Sequence, residues 1–330
     1  MRILVTGGAG FIGSHVADAL IARRHDVTVL DDLTGGSRSN VPAAARFVEG
    51  SVTDDALVKD LFAAGRFDHV YHLAAYAAEG LSHFIKRFNY TNNVIGSVTL
   101  INAAVNTGVK GFVFTSSIAV YGRAPLPMTE DTRPEPEDSY GIAKYAVEQE
   151  LQATRALFGL DYMIFRPHNV YGSRQNIGDR YRNVVGIFMN QILQGKPMTI
   201  FGDGEQTRAF SYVDDVAPIM AAAIDNPAAW NQVFNIGADQ PTTVNELARR
   251  VAAAMGSEPR IAHLEARHEV VHAHSDHQKL ARVFGARPMT PLEDGLKVMA
   301  EWVKAHGARA TPAFDGIEVT KNLPASWRSS

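Results

Sequence analysis

The sequence predicts an α/β fold, in which a doubly wound parallel sheet is joined to a smaller C-terminal lobe. Short apolar runs rich in Val, Ile and Phe alternate with longer helical patterns through the first half of the 330-residue chain. The runs are almost continuously apolar, which is typical of parallel strands that helices cover on both faces. A glycine-rich turn directly after the first run also indicates this class, because such turns join a strand closely to a helix.

The individual elements follow from the same periodicities. Apolar runs predict strands over residues 2–7, 26–31, 45–50, 69–74, 111–117 and 161–167. The 3.6-residue periodicity between them predicts helices over residues 11–23, 54–62, 82–106 and 140–158. After Pro167 the alternation loosens. We therefore expect one domain over residues 1–167, with return segments near 210–237, and mainly a second lobe over residues 168–330. The tail from Ala308 is weakly patterned, and we expect a loose extension there.

Composition excludes several classes of function. The formal net charge of -3 does not favour binding to nucleic acid or to an anionic membrane. The chain has no cysteine, which excludes disulfides and thiolate metal sites and fits a reducing compartment. The first residues resemble a buried strand more than a signal peptide, and no apolar run reaches the roughly 18 residues of a membrane span. We expect a cytoplasmic protein.

The glycines after the first strand indicate a dinucleotide site. Gly7, Gly10 and Gly13 lie where this strand turns into a helix. Glycines there let the backbone approach a pyrophosphate, and the free N–H groups of the helix start attract its charge. The next strand ends in Asp31, where an acid can bind the adenosine ribose hydroxyls. Its carboxylate would repel a 2′-phosphate, so the pattern favours NAD over NADP.

A second pattern indicates proton transfer. Ser117 ends a predicted strand, and Tyr140 and Lys144 share one face of a predicted helix. A free tyrosine is a poor base at neutral pH, but a neighbouring ammonium and a cationic nicotinamide ring would lower its pKa. Ser117 could then hydrogen-bond the reacting oxygen. A tyrosine and a lysine at this spacing also occur on solvated helices, so the prediction depends on the glycine motif.

With these motifs the sequence resembles the extended short-chain dehydrogenases/reductases, and within them the UDP-hexose 4-epimerases. The resemblance extends from Met1 to about residue 300 and includes the glycine motif at 6–15, His-Leu-Ala-Ala at 72–75, Ser-Ser-Ile-Ala-Val-Tyr-Gly at 116–122, Tyr140 with Lys144, Arg-Pro-His-Asn-Val-Tyr-Gly at 166–172 and Arg-Ala-Phe-Ser-Tyr-Val-Asp-Asp at 208–215. It implies a Rossmann domain that binds NAD, a C-terminal lobe that binds a UDP-sugar, and a homodimer formed through the helices near 82–106 and 140–158.

The resemblance also implies roles for individual residues. The implied catalytic residues are Ser117, Tyr140 and Lys144. The implied cofactor-binding residues are Gly7, Gly10, Phe11, Ile12, Asp31, Asp32, Gly36, Ser51, Val52, Leu73, Ala74, Ala75, Asn92, Tyr140, Lys144 and Pro167. The implied substrate-binding residues are Ser117, Tyr140, Asn169, Arg182, Asn183, Thr199, Phe201, Arg208, Arg267 and Glu269. Among these, Asn169, Arg208 and Arg267 match positions at the diphosphate.

The reaction subclass is inferred from a missing acid. Related dehydratases carry Asp-Glu before Val-Tyr-Gly, and decarboxylases of UDP-glucuronate usually keep a Glu there. This chain has Ile118 and Ala119, which transfer no proton. Reversible oxidation at C4 of the sugar needs only the tyrosine, the serine hydroxyl and the nicotinamide. The resemblance therefore implies a 4-epimerase, in which Tyr140 removes the proton of the 4-hydroxyl.

The sugar itself is less well defined. Ser51 and Ala77 replace residues that many relatives use near the cofactor, and residues 76–82, which should border the sugar, also differ from theirs. Arg174, Arg180 and Arg182 lie in the loop and helix start expected to cover the hexose. One of them, or the hydroxyls near Ser82, could bind a C5 carboxylate, and the alternative is a solvated basic loop. The nearest resemblance is to UDP-glucuronate 4-epimerases, including those of actinomycete moenomycin-type pathways. UDP-glucose and UDP-N-acetylglucosamine stay open as substrates.

Two alternative functions stay open. A net-reducing enzyme would need exchangeable nicotinamide, and a regulatory NAD-binding protein would have no need of Ser117, Tyr140 and Lys144 together. A late cluster of histidines suggests metal binding, since two histidines that alternate on a strand could chelate an ion. No acid or third well-spaced ligand completes that pattern, so no metal is predicted. The cluster comprises His263, His268, His272, His274 and His277.

Overall fold

A parallel sheet lies at the centre of the structure, which is a computed structural model and describes residues 1–267 and 269–328. The strands are β1 (Arg2–Thr6), β2 (Asp26–Asp31), β3 (Arg46–Glu49), β4 (His69–His72), β5 (Gly111–Thr115), β6 (Asp161–Pro167), β7 (Val170–Tyr171), β8 (Met198–Phe201), β9 (Thr207–Ala209), β10 (Ser211–Tyr212), β11 (Gln232–Ile236), β12 (Pro241–Thr243), β13 (Ile261–Leu264) and β14 (His272–Ala273).

Helices cover both faces of this sheet. They are α1 (Phe11–Ala22), α2 (Asp55–Gly65), α3 (Glu79–Ser82), α4 (Lys86–Tyr90), α5 (Gly96–Thr107), α6 (Ser139–Phe158), α7 (Val184–Leu193), α8 (Val213–Ala222), α9 (Val244–Met255), α10 (Gln278–Phe284) and α11 (Leu292–His306). Across the two described ranges, no helix combines the length and the apolar character that crossing a membrane requires.

The main sheet has the order β11-β6-β5-β4-β1-β2-β3, with every pair parallel. Successive side chains of β1 point to opposite faces, so Ile3 and Val5 join one apolar cluster while Leu4 joins another. Both faces are thus buried, as the continuous apolar runs indicate. The doubly wound Rossmann fold predicted from the sequence is confirmed.

The sheet order places a crevice at the start of the chain. After β3 the chain returns to the other side of β1 and forms β4, so the strand order reverses between β1 and β4. In open parallel sheets, ligands bind beyond the carboxyl ends of the strands at this reversal. The ends of β1, β2, β4, β5 and β6 meet along that edge.

The chain after β6 builds a second layer of small sheets. β12, β9 and β14 form one sheet, β8 pairs with β13, and β7 pairs with β10. β11 returns to the main sheet beside β6, and α8 packs against α1. One apolar cluster extends from Ile3 of β1 to Val303 of α11. The division of the chain after residue 167 stays a prediction.

The helix predicted over residues 82–106 is interrupted, which corrects that expectation. The chain instead forms α3, α4, a π-helical turn (Thr91–Ile95) and α5. The cause lies in buried amide side chains. Asn93 exchanges hydrogen bonds with the backbone of Tyr76, at 2.9 and 3.1 Å, and Asn89 donates to the carbonyl of Ser139 at 2.8 Å. These bonds hold the segment against its neighbours at the expense of regular helical geometry.

Residues 308–328 of the tail pack against the rest of the chain, which corrects the expectation of a loose extension from Ala308. Leu323 and Trp327 are buried in an apolar cluster with Leu81 and Ile85. The Glu318 carboxylate accepts hydrogen bonds from the first N–H groups of α4, at 2.7 and 2.8 Å. The tail is attached through isolated side chains and contains no strand or α-helix among its described residues, which explains its weak sequence pattern.

Candidate active site

A deep cleft opens at the carboxyl edge of the sheet, where β1 and β4 are neighbours. The structure brings most of the predicted cofactor residues into its wall. Those that line the cleft are Gly7, Gly10, Phe11, Ile12, Asp31, Asp32, Gly36, Val52, Leu73, Ala74, Ala75, Asn92, Tyr140, Lys144 and Pro167. Ser51 is not among the lining residues, and its hydroxyl hydrogen-bonds to Thr53 at 2.8 Å.

The glycine turn before the N-terminus of α1 has a backbone geometry that can bind an anion. Gly10 donates to the carbonyl of Gly7 at 3.0 Å, and α1 begins at the next residue without a side-chain cap. A Cβ at position 13 would overlap the carbonyl oxygen of Gly7, so only glycine allows this tight turn. The uncapped N–H groups therefore face the cleft, as a pyrophosphate requires.

Asp31 ends β2 beside the glycine turn. Its carboxylate accepts hydrogen bonds from the backbone N–H groups of Ala9, at 3.0 Å, and Leu33, at 2.8 Å. Burial raises the pKa of Asp31, while these two N–H groups oppose the shift. Asp31 thus fixes the turn and places an acid where NAD carries ribose hydroxyls, so the residues present fit this cofactor.

The three predicted catalytic residues meet at the inner end of the cleft. Tyr140 lies in the first turn of α6, and its hydroxyl hydrogen-bonds to Ser117. The Lys144 ammonium nitrogen lies 5.7 Å from the centre of the Tyr140 ring and donates to the carbonyl of Thr115 at 2.8 Å. Asp138 caps α6 by accepting from the N–H of Gly141 at 2.8 Å, which fixes the helix turn that carries Tyr140.

The electrostatics of the chain alone favour a neutral tyrosine. Burial raises the pKa of Tyr140, and the nearby carboxyl of Glu79 raises it further. Burial also lowers the pKa of Lys144 to about 7, against the opposing influence of Glu148. An oxidised nicotinamide ring, when bound, would add a positive charge that favours the phenolate of Tyr140.

A buried ion pair lies behind the three predicted catalytic residues, and the sequence analysis did not predict it. Glu148 lies one turn after Lys144 on α6 and pairs with Arg166 of β6, and both side chains are almost fully buried. Glu148 also accepts a hydrogen bond from Ser116, next to Ser117. Arg166 in turn donates to the hydroxyl of Tyr121 at 2.7 Å. Arg166 belonged to a recognised motif, but nothing in the sequence indicated its partner.

Comparison with known proteins shows the family to which this chain belongs. Residues 3–237 match the model of the NAD dependent epimerase/dehydratase family. The chain belongs to this family. A putative UDP-glucose 4-epimerase of Methanocaldococcus jannaschii is 36% identical over 309 residues, which cover 92% of this chain and 98% of the relative.

Solved structures agree with this membership of the epimerase/dehydratase family. A UDP-glucose 4-epimerase of Thermotoga maritima, with UDP-glucose, has 37% identity and a TM-score of 0.88, covering 93% of this chain and 99% of its own. A UDP-glucuronic acid 4-epimerase of Bacillus cereus, with UDP-glucuronic acid and NAD, has 28% identity and a TM-score of 0.85, covering 93% and 100%. The predictions of the family, of an enzyme and of NAD as cofactor are confirmed.

Four of the predicted substrate residues line the same cleft as Tyr140: Ser117, Asn169, Arg182 and Asn183. Asn169 has a positive φ of 40° and donates to the carbonyl of Ala209 at 3.3 Å. Arg182 donates to Asp179 at 2.6 Å, and its guanidinium lies 4.9 Å from the centre of the Tyr76 ring.

The other predicted substrate residues are not among those that line the cleft: Thr199, Phe201, Arg208, Arg267 and Glu269. Arg267 donates twice to the Glu269 carboxylate, at 3.1 and 2.9 Å, and lies 4.6 Å from the centre of the Phe201 ring. The Arg208 guanidinium donates to three backbone carbonyls, and Thr199 bonds to Gln191. These side chains are therefore already partnered within the chain.

Glu79 is a further cleft residue that sequence reasoning did not single out. Its side chain is open to the cleft interior, while the surrounding walls raise its pKa by desolvation. Arg208 and Arg267 oppose that shift, and Glu79 in turn raises the pKa of Tyr140, so the carboxyl of Glu79 is close enough to interact electrostatically with all three. Burial raises the pKa of the nearby Asp138 to about 7, and Glu79 adds to this rise. The only sequence signal was that residues 76–82 differ from related epimerases.

The histidine cluster is dispersed. His268 lies outside the described residues. His263 hydrogen-bonds to the carbonyl of Gly202 at 2.8 Å, and His272 bonds to Thr207 at 2.9 Å. Within residues 1–267 and 269–328, no group of three or more His, Asp or Glu side chains is arranged to hold a metal ion.

Proposed function

We propose that this member of the epimerase/dehydratase family interconverts UDP-glucuronate and UDP-galacturonate by inverting C4 of the sugar. The observation that carries the proposal is the pairing of Tyr140 and Ser117 in the cleft, followed by Ile118 and Ala119. Tyr140 and Ser117 together can move a proton at one oxygen of the sugar. Residues 118 and 119 supply no second acid or base, which an elimination would need. NAD, held by the glycine turn and Asp31, would supply the hydride acceptor and donor that inversion at C4 requires.

The chain's own residues then have separate tasks. Tyr140 takes the proton of the 4-hydroxyl in the oxidation half and gives it back in the reduction half. Ser117 holds the same oxygen by a hydrogen bond. Lys144, held by the Thr115 carbonyl, fixes the edge of the cleft where the nicotinamide ribose fits. We further propose that the residues after 167 mainly form the lobe that binds the UDP-sugar.

Arg182 supports a uronate as substrate. Its guanidinium lies in the cleft wall and lowers the pKa of Tyr140, although less than burial and Glu79 raise it, so its charge reaches the reacting end. A C5 carboxylate can replace Asp179 as its partner, because guanidinium groups bind carboxylates in a fixed two-point geometry. A 4-keto uronate loses CO₂ easily when its carboxylate has the orbital alignment that decarboxylation needs. Binding of the carboxylate by Arg182 would also hold it out of that alignment.

UDP-glucose is the second candidate, and Glu79 favours it. A carboxylate in the cleft repels a uronate but accepts hydrogen bonds from neutral sugar hydroxyls. The two relatives with 36–37% identity cited above are a putative UDP-glucose 4-epimerase and a UDP-glucose 4-epimerase, whereas the glucuronate enzyme has 28% identity. The two substrates differ only in the substituent on C5, which is a hydroxymethyl group in one and a carboxylate in the other, so the reaction proposed at C4 is the same for both.

Incubation with UDP-glucuronate, without added reductant, tests the proposal, with the sugar identified by NMR. We expect UDP-galacturonate. Arg182→Met should raise KM for UDP-glucuronate by roughly tenfold or more, the worth of a hydrogen bond to a charged group. Arg180→Met is the matched control, since Arg180 bonds to the carbonyl of Ser326 in the tail. Release of CO₂ with a pentose product would show that the inference from Ile118 and Ala119 is wrong, and turnover of UDP-glucose alone would select the second candidate.

We also propose a homodimer through the surface of α5 and α6. Large apolar side chains are exposed there, with Leu157 75% and Phe158 62% accessible at the end of α6. Ile142 on α6 and Ile95 before α5 are also exposed. Light scattering should give twice the 35.9 kDa chain mass, and Phe158→Asp together with Ile142→Asp should lower it towards one chain. Val298→Asp, at an exposed apolar position on α11, is the control and should leave the mass unchanged.

A further inference from the structure

Two buried histidines meet behind the cleft. His168 follows β6 directly before Asn169, and His277 directly precedes α10. Their rings stack with centres 5.2 Å apart, and their Nε2 atoms are 3.1 Å apart. A Cβ at position 237 would come within 2.5 Å of His168 Nε2, so the glycine there makes room for the pair.

The outer ring nitrogens of both histidines face acceptors. His168 Nδ1 is 3.0 Å from the carbonyl oxygen of Ala209, and a carbonyl oxygen only accepts. His277 Nδ1 is 2.5 Å from the carboxylate of Asp239. Each Nδ1 must therefore carry hydrogen. Two neutral imidazoles in this state would point the lone pairs of their Nε2 atoms at each other across 3.1 Å, which is repulsive.

One added proton removes this repulsion between the two rings. The Ser275 hydroxyl, 3.2 Å from His277 Nε2, can donate to that nitrogen but does not place a hydrogen between the rings. A proton on either Nε2 converts the repulsive contact into a hydrogen bond. The titratable groups that act on the pair are Asp239, from the loop after β11, and His274, after β14, and the Asp239 carboxylate can balance the added charge.

We propose that His168 and His277 share one extra proton, held on His277 beside Asp239, and that this cationic pair positions Asn169 for substrate binding. Burial, followed by His277, lowers the pKa of His168 to about 3, so His168 is the ring that accepts across the contact. His277 and Asp239 are thus positioning residues, because they act through His168.

The link to Asn169 is the carbonyl of Ala209. It accepts hydrogen bonds from His168 Nδ1, at 3.0 Å, and from Asn169 Nδ2, at 3.3 Å. Asn169 is held at a positive φ of 40°, a backbone conformation that needs such support. This step rests on the proposed function, in which Asn169 contacts the diphosphate of the substrate.

The sign of the pH dependence follows from the shared proton. The proton is present at low pH and is lost as the pH rises. Once it is lost the two lone pairs repel, and the support of Asn169 weakens. UDP affinity should therefore fall on the alkaline side, by roughly fivefold, the effect of one net hydrogen bond. The kcat at saturating UDP-sugar should not follow the same titration, because His277 touches neither the sugar nor Tyr140.

Nuclear magnetic resonance of protein labelled with ¹⁵N in its histidine rings tests the proton directly and requires no activity. We expect one histidine, assigned by its loss in His277→Gln, to carry hydrogen on both nitrogens at pH 7, and a second to hold hydrogen on Nδ1 alone. His306→Gln, at the exposed end of α11, is the control for assignment. Two neutral rings at pH 7, or a metal ion found by elemental analysis of the purified protein, would overturn the proposal.

Calorimetric titration with UDP tests the coupling. His277→Gln supplies a permanent N–H towards His168, so affinity should be kept at low pH and its pH dependence lost. Asp239→Asn should move the midpoint to lower pH, and because Asp239 is 66% exposed this change is tolerated by the fold. An unchanged pH profile in both variants would refute the role in positioning. If UDP does not bind the wild-type protein at all, the proposed function fails, while the spectroscopic result on the shared proton still stands.

Discussion

Replacing Tyr140 with phenylalanine is expected to lower kcat for C4 epimerisation by about 10²–10⁴-fold, the usual contribution of a positioned proton donor and acceptor. The substitution removes only the hydroxyl, whose hydrogen bond is to Ser117. The ring stays packed in the first turn of α6, so the fold and the retention of NAD should be preserved. Epimerisation is measured by NMR of the sugar, and cofactor content by absorbance after denaturation.

Tyr145→Phe is the matched control for this prediction. Tyr145 lies on the same helix, but it is not among the residues that line the cleft. It should retain nearly full activity. If Tyr140→Phe epimerises at the wild-type rate, Tyr140 is not the proton carrier. If it loses activity and NAD together, the effect is one of cofactor binding.

Replacing Glu148 with alanine is expected to cost about 3–5 kcal/mol of unfolding free energy, because it leaves a buried guanidinium without its partner. Glu148 is fully buried and binds both Arg166 and Ser116. Arg166→Ala should cost a similar amount for the same reason. Denaturant unfolding monitored by circular dichroism gives the free energies.

Two further experiments distinguish the stability cost of a buried unpaired charge from the cost of lost packing. Glu150→Ala, on the same helix but exposed, should change stability by no more than about 0.5 kcal/mol. Glu148→Leu combined with Arg166→Met should recover part of the loss, since apolar residues often replace a buried ion pair without penalty. A Glu148→Ala protein as stable as the wild type would contradict the importance of the pair.

The main sheet was predictable because its signals are local. Each of the first six strands is a short apolar run, and the observed β2 (Asp26–Asp31) and β6 (Asp161–Pro167) coincide with the predicted ranges. The helix over 82–106 was not predictable in detail, since Asn89 and Asn93 interrupt it through bonds to Ser139 and Tyr76, which are distant in sequence.

The cleft was predictable to the extent that its residues belong to motifs. Gly7, Asp31 and Tyr140 are placed by strand ends and helix starts, which the sequence pattern indicates. Glu79 was not predictable, because its significance depends on Tyr140 and on Arg208 approaching from other elements. The same holds for the contact between His168 and His277, which are far apart in sequence and meet only in three dimensions.

The docked tail joins segments that are far apart in the sequence. Trp327 packs against the rings of Tyr181 and Phe201, and with Leu323 it is buried in the same apolar cluster as Leu81 and Ile85. Loss of the Trp327 ring would therefore leave a cavity between these segments, and all of them would lose packing contacts at once.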